Sequence, residues 1–476
     1  MPPSFRRRSA ALSFAGLIAI LSSTAASADA DGIERHMAQL LNATDRSAVS
    51  VIQTKRNAYR MQVDSRLLLD AFHMQTLGAI NPPQSVFNLV RDPNGSWSFD
   101  ANQSFAAKYW EKIDGEGLSN EIEVGHSAII GHVDPVGESR ISVSLLDGKL
   151  TTDNHGKKSR QNWANREFEL IDRPEARSLS TNQLTERLDN FRLEEDVSLT
   201  ERLVMAIRSL ETSTRLNGVH SAPLKTILAM GDPLTIPLDQ NDAAFPDNTV
   251  IGATRIDMAF RADGLALRSH GDHASWSVWV KSWAGRLKAE APDEKAENRI
   301  TTTIDGMTFA TNAAWRELAS LFPSTLSFTG SVAGIDGRLI YLLQNPAARL
   351  GADNTLNYFS YQLSPNNRLK ITDMDLQVAA RDYSVEATGS MDLDLLQQNR
   401  SEASLTFRSK DLDRLIAAFG PAGSLSRETS SLLFLFYFLK GAGQETDDGA
   451  LQWALVVRNG KAEVNGTPFP LFRKPL

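Results

Sequence analysis

The chain of 476 residues contains no cysteine. That excludes disulfide staples, thiol catalysis, Cys-ligated zinc and a lipid anchor on a cleaved Cys. Stability must come from burial alone, which this length permits. The chain also lacks an excess of positive charge: its formal net charge is −7, so it carries no electrostatic footprint for nucleic acid. Beyond the first thirty residues it lacks any apolar run of membrane-spanning length. The longest, Leu432 to Leu439, has eight residues, whereas a span needs ~20.

Catalytic signatures are missing too. There is no H-E-x-x-H, no G-x-x-x-x-G-K-[ST] and no G-x-G-x-x-G. Gly125-His126-Ser127 starts like a nucleophile elbow, but Ile129 stands where the second glycine is required. No cofactor is implied.

What is present begins with an address. Arg6, Arg7 and Arg8 precede an apolar core from Ala10 to Leu21, followed by small residues with overlapping sites Ala26-Ser27-Ala28 and Ala28-Asp29-Ala30. This is the layout of a cleavable secretory signal, cut after residue 28 or 30. Cleavage makes the mature chain more acidic and leaves it without a transmembrane segment. Gly231 to Val250, with Pro233, Pro237 and Pro246, reads as a linker between an N-terminal half, 29–245, and a C-terminal half, 246–476.

Pairs that supply positive φ recur between alternating apolar runs: Asn94-Gly95, Asp147-Gly148, Asp263-Gly264, Asp336-Gly337 and Asn459-Gly460. They predict hairpin turns and antiparallel pairing. Helical spacing of apolar residues appears in Ile33 to Leu41, Leu184 to Phe191, Leu199 to Leu210, Trp276 to Leu287, Ala313 to Phe322, Leu412 to Phe419 and Leu425 to Leu439. Together they predict an α+β fold, a large curved antiparallel sheet with helices on its concave face.

Candidate sites are few. His270, Asp272 and His273 could supply three metal ligands with a fourth position open, although Asp272 also suits the N-cap of a following helix. His126, His132 and Asp134 form a looser set. The pairs Asp373/Asp375, Asp392/Asp394 and Asp411/Asp413 recur every 19 residues and read as the wet face of successive strands. Trp276, Trp279 and Trp283 share one side of the predicted helix, where indoles serve either a core or an apolar ligand. Phe434, Phe436 and Phe438 belong to an aromatic helix that must be enclosed. Asp153 to Arg166 reads as a basic loop around Trp163.

In texture the C-terminal half resembles a secreted family of alphaproteobacterial envelope proteins of unknown function, distantly AsmA-like in pattern. The resemblance rests on LKITDMDLQVAARDYSVEATGSMDLDLL, ASLTFRSKDLDRLIAAFG and LQWALVVRNGKAEVNGTPF, closing on Val464-Asn465-Gly466-Thr467-Pro468, and on NAYRMQVDSRLLLDAF and RDPNGSWSF earlier. AsmA-like proteins usually keep an N-terminal membrane anchor, where this chain has a cleavable signal. The resemblance implies a soluble periplasmic protein, non-enzymatic, whose partner is a lipid or outer-membrane component. The alternatives from other classes are a metal-dependent periplasmic hydrolase and an adaptor for another envelope protein.

Overall fold

The computed structural model describes residues 30–40, 48–70, 75–113, 116–134, 137–154, 156–175, 179–198, 200–220, 255–271, 275–290, 298–312, 322–333, 368–381, 383–394, 400–419 and 436–469. The signal segment, the linker and Asp336-Gly337 lie outside them. The chain divides into two compact units, one ending at Ile256 and the other beginning at Asp257.

The predicted α+β fold is wrong. The described residues are nearly all strand, all pairing antiparallel, with four short helices. These are α1 (Ala30–Leu40), α2 (Ser65–Asp70), α3 (Leu412–Phe419) and α4 (436–442). Helices were expected at α1 and α3. Leu184 to Phe191, Leu199 to Leu210 and Trp276 to Leu287 are strand. Of Ala313 to Phe322 only Phe322 is described, and of Leu425 to Leu439 only the last four residues, in α4.

The first unit is a meander. Its strands are β1 (Val49–Lys55), β2 (Ala58–Asp64), β3 (Gln75–Thr76), β4 (Gln84–Arg91), β5 (Trp97–Ile113), β6 (Glu116–Val133), β7 (Ser139–Asn154), β8 (Lys157–Pro174), β9 (Leu179–Asp196) and β10 (Arg202–His220). They pair in the order β1-β2-β4-β5-β6-β7-β8-β9-β10, and the short β3 pairs with the far end of β5. Strands β6 and β8 each run 18 residues, about 60 Å at ~3.3 Å per residue. Side chains alternate along them, and one face is closed: Tyr59, Met61, Phe87, Phe99, Tyr109, Ile129, Val143 and Leu188 belong to a single buried cluster, which Ile33 of α1 completes at 1% exposure.

Strict alternation would not hold one apolar face over such lengths with this sequence. Buried residues are Ile122 and Val124, then Ile129 and Val133 in β6; Val143 and Leu145, then Leu150 in β7; Trp163, then Phe168 in β8; Leu188, then Leu193 in β9. Each strand changes from even to odd, or odd to even, part-way along. The change falls at one level in every strand. The register puts Gly125 opposite Asp147, Asp147 opposite Ala164, Ala164 opposite Asn190, and Asn190 opposite Arg208. Asp147 and Asn190 have φ of 53° and 51°, the left-handed region that Asn and Asp tolerate best among residues with a Cβ. The line starts where Gly125 and His126 both face Ser104 of β5, a β-bulge. Thus Asp147-Gly148 is a phase reset inside β7 and not the predicted hairpin turn.

The same device recurs in the second unit. Its strands are β11 (Arg255–His270), β12 (Ser275–Glu290), β13 (Asn298–Asp305), β14 (Thr308–Thr311), β15 (Thr325–Ala333), β16 (Arg368–Ala379), β17 (Ser384–Asp394), β18 (Glu402–Lys410), β19 (Gln444–Glu445), β20 (Leu451–Arg458), β21 (Lys461–Val464) and β22 (Thr467–Phe469). The pairing runs β12-β13-β15-β16-β17-β18-β20-β21-β22, with β14 on β12 and β19 on β20. Gly264 in β11, Gly306 between β13 and β14, and Asp373 in β16 all have positive φ. Asp263-Gly264 therefore also lies inside a strand. The expected turns do occur at Asn459-Gly460, between β20 and β21, where φ is 50° and 71°, and at Asn94-Gly95 between β4 and β5.

Glycine at the reset of β7 also makes room for a neighbour. A Cβ on Gly148 would lie 1.9 Å from the Trp163 ring, which packs against the glycine. Gly148→Ala is expected to destabilise the protein by about 1–3 kcal/mol, as overpacking does, and to lower the urea midpoint. Part of that loss should return in the double variant Gly148→Ala/Trp163→Leu. An unchanged midpoint for Gly148→Ala would show that the ring does not rest there.

Candidate functional site

The second unit has one apolar and one polar face, fixed by register. Trp283 pairs with Ile304, Ile304 with Leu326, Leu326 with Val378, and Val378 with Val385. The next row holds Phe328, Leu376, Ala387, Phe407 and Trp453. The opposite face carries Ser327, Thr329, Asp375, Gln377, Glu386 and Thr388.

The apolar face is unevenly covered. At one end α3 and α4 close it: Leu412, Ile416, Trp453 and Val464 form a small core, with Phe436, Leu439, Tyr383 and Phe407 packed against it. The Trp453 indole donates to the Leu439 carbonyl at 2.6 Å. Towards the other end Ile304, Leu326, Phe328, Leu376 and Val378 are only half-buried, and Trp283 is 37% exposed. In the first unit the corresponding face is closed across β2 to β7.

The tryptophans do not share a helix face. They stand on β12, whose phase resets opposite Gly306. Trp283 meets Phe260 edge-on at 5.0 Å and donates to Thr302 Oγ1 at 3.1 Å, which puts it on the apolar face. Lys281 pairs with Asp305 on the polar face. Trp279, two residues before Lys281 and paired with the exposed Thr308, belongs to the polar face. Trp276 has the parity of the buried Val280 and lies on the apolar face with it. Of the predicted aromatic helix, Phe434 lies outside the described residues. Phe436 packs into the small core, Phe438 is half-buried, and Tyr437 is 57% exposed, so the described part is not apolar all round.

The polar candidates disperse. His270 is exposed at the end of β11, and Asp272 and His273 lie outside the described residues. Among the described residues no three His, Asp or Glu side chains gather to hold a metal ion. His132 is hydrogen-bonded to Ser98 at 3.2 Å, and Asp134 caps its own turn through the Gly137 amide. Asp392 pairs with Arg368 and Asp413 with Lys440, so these members of the 19-residue repeat answer local cations. Asp448, in the turn before β20, is held well below the usual carboxylate range by hydrogen bonds from Lys410, Thr446 and Arg408. The supposed basic loop is strand: Trp163 is in the core, and Arg166 forms a largely buried pair with Glu186 at 3.0 Å while covering the Phe168 ring.

No helix among the described residues is long and apolar enough to cross a membrane. Comparison with protein-family models, curated proteins and solved structures finds no match to this chain.

One carboxylate is held at a cost. Asp172 stands near the end of β8, opposite Asn182, with Oδ1 buried and without a hydrogen-bond partner. Burial pushes its carboxyl above the usual range, and a hydrogen bond with Ser180 offsets only part of this. A carboxyl raised in the folded state opposes folding when ionised, and the opposition fades as pH falls through the folded value. Asp172→Asn should therefore raise the urea midpoint at pH 7. The gain should vanish near pH 3.5, below the ordinary carboxylate value of ~3.9. A gain equal at both pH values would assign it to packing instead.

Proposed function

We propose that the chain is a periplasmic, non-enzymatic protein that binds the acyl part of a lipid on the apolar face of its second unit. The observation that carries the reading is the half-open row Trp283, Ile304, Leu326 and Val378, with Phe328 and Leu376 in the row beside it, on a sheet whose other face carries Ser327, Thr329, Asp375 and Gln377. Fully burying one large apolar side chain is worth ~1.5–3 kcal/mol. Leaving several half-exposed forfeits a part of that at each position. An acyl chain laid along the row recovers it, at about 0.8 kcal/mol for each methylene removed from water. The row runs across strands, so its length is set by strand number, which suits an extended ligand better than a compact one. The secretory layout of the first thirty residues supports the compartment, and the resemblance to envelope proteins supports the class of partner.

Protein purified from periplasm as the full mature chain should yield a bound lipid on solvent extraction. Native mass spectrometry should show a matching mass difference. Trp283→Ser and Phe328→Asp should each lower lipid occupancy at least tenfold. Thr329→Lys, on the polar face, should leave it unchanged. A ligand-free mass for the parent protein, with no lipid in the extract, would overturn the reading.

A further inference from the structure

The buried face of the first unit carries a second feature that the apolar reading does not use. A row of polar side chains crosses it. Asn120 of β6 pairs with Thr152 of β7, Thr152 with Ser159 of β8, and Ser159 with Glu195 of β9. Asn120 and Thr152 are 1% and 2% exposed, and the Thr152 hydroxyl donates to Asn120 Oδ1 at 2.7 Å. Along β8 the same face continues to Gln161 and Trp163, at 6% and 5% exposure.

Three of these groups are unanswered. The Ser159 hydroxyl, Gln161 Nε2 and Trp163 Nε1 are buried with no hydrogen-bond partner among the described residues. They follow one another at every second residue of one strand, hence ~6.5 Å apart and on one side. Leaving a buried donor unpaired is costly, and here the cost falls on adjacent positions. Two of the three atoms, Gln161 Nε2 and Trp163 Nε1, are donors, so the partner they call for is an acceptor oxygen. Glu195 directly across from Ser159 disfavours an anion, and Arg166 further along the face is already paired with Glu186. Beyond β8 the sheet changes character: Leu184 and Glu186 of β9 and Leu203 and Met205 of β10 are only half-buried, against the closed packing of β2 to β7. The donors therefore stand where the closed core gives way to a partly open one.

We infer that Ser159, Gln161 and Trp163 bind the uncharged, oxygen-bearing head of an amphiphile, an ester or hydroxyl group accepting from the amide and the indole. This site lies in the first unit and does not depend on ligand binding in the second.

The test uses the full mature chain with Trp283→Ser as background, which removes the contribution of the second unit. The probe is 1-monooleoylglycerol, followed by native mass spectrometry and titration calorimetry, with oleate and glycerol as charged and chainless counterparts. One equivalent of monooleoylglycerol should bind, and oleate and glycerol should bind at least tenfold more weakly. Gln161→Met keeps the approximate size of the side chain and removes its amide, and Trp163→Phe keeps an aromatic ring and removes the indole N–H; either should weaken monooleoylglycerol binding at least tenfold. Gln161→Met should leave the urea midpoint unchanged or higher, because an unpaired donor is lost. Unchanged binding in both variants, or equal binding of oleate, would overturn the inference. So would a high-resolution crystal structure, grown with the probe, in which these donors meet only ordered water.

Discussion

A strand turns its side chains to alternate faces with a period of two, and everything in this protein depends on how that period is kept over strands of 16 to 19 residues. One extra residue in any strand would send the rest of its apolar side chains to the solvent. The first unit admits such a residue at the bulge in β6 and then repeats the correction in β7, β8, β9 and β10 at the same level. Hydrogen-bonded neighbours share a pleat, so a reset in one strand obliges the next to reset or to surrender its core face. Asp147 and Asn190 provide it through a left-handed backbone conformation that Asp and Asn accept at small cost.

That device explains how much could be read from the residues alone. Alternating runs and antiparallel pairing were legible, as were α1, α3 and the tight turn at Asn459-Gly460. The misassigned helices share one cause. Leu184, Leu188 and Phe191 stand at i, i+4 and i+7, as do Leu203, Ile207 and Leu210; Trp276, Val280, Trp283 and Leu287 extend the series to i+11. A strand that changes phase once has even steps on either side of an odd step, and this imitates helical periodicity. Asp147-Gly148 and Asp263-Gly264 misled for the same reason, since a phase reset and a hairpin both call for positive φ. Trp283 was visible as an aromatic candidate, although it stands on a strand and not on the predicted helix, and Phe436 was visible on the helix that carries it. Gln161 was not visible at all, because an unanswered donor is defined by what surrounds it in the fold.

The two units use the same architecture with different degrees of closure. In the first, aromatic and aliphatic side chains from α1 and most of the strands merge into one core. In the second, short helices close one end of the apolar face and leave the remainder half-covered. The polar faces carry cross-strand ion pairs such as Lys108–Glu121 and Lys281–Asp305. Each is solvent-exposed and worth ~0–1 kcal/mol. They favour solubility and register more than stability, which rests on the apolar faces.

The aligned resets also govern which lengths this chain tolerates. A residue gained or lost at a hairpin tip, such as Gly156, changes one loop. A residue gained or lost at Asp147 inverts half of β7 relative to β6 and β8, and only matching changes in the neighbouring strands restore the face. Length variation among descendants of this sequence is thus confined to the tips, or else must arrive in several strands together. The line from Gly125 to Arg208 acts as a spelling rule for the whole sheet: each strand keeps its own count, and none can revise it alone.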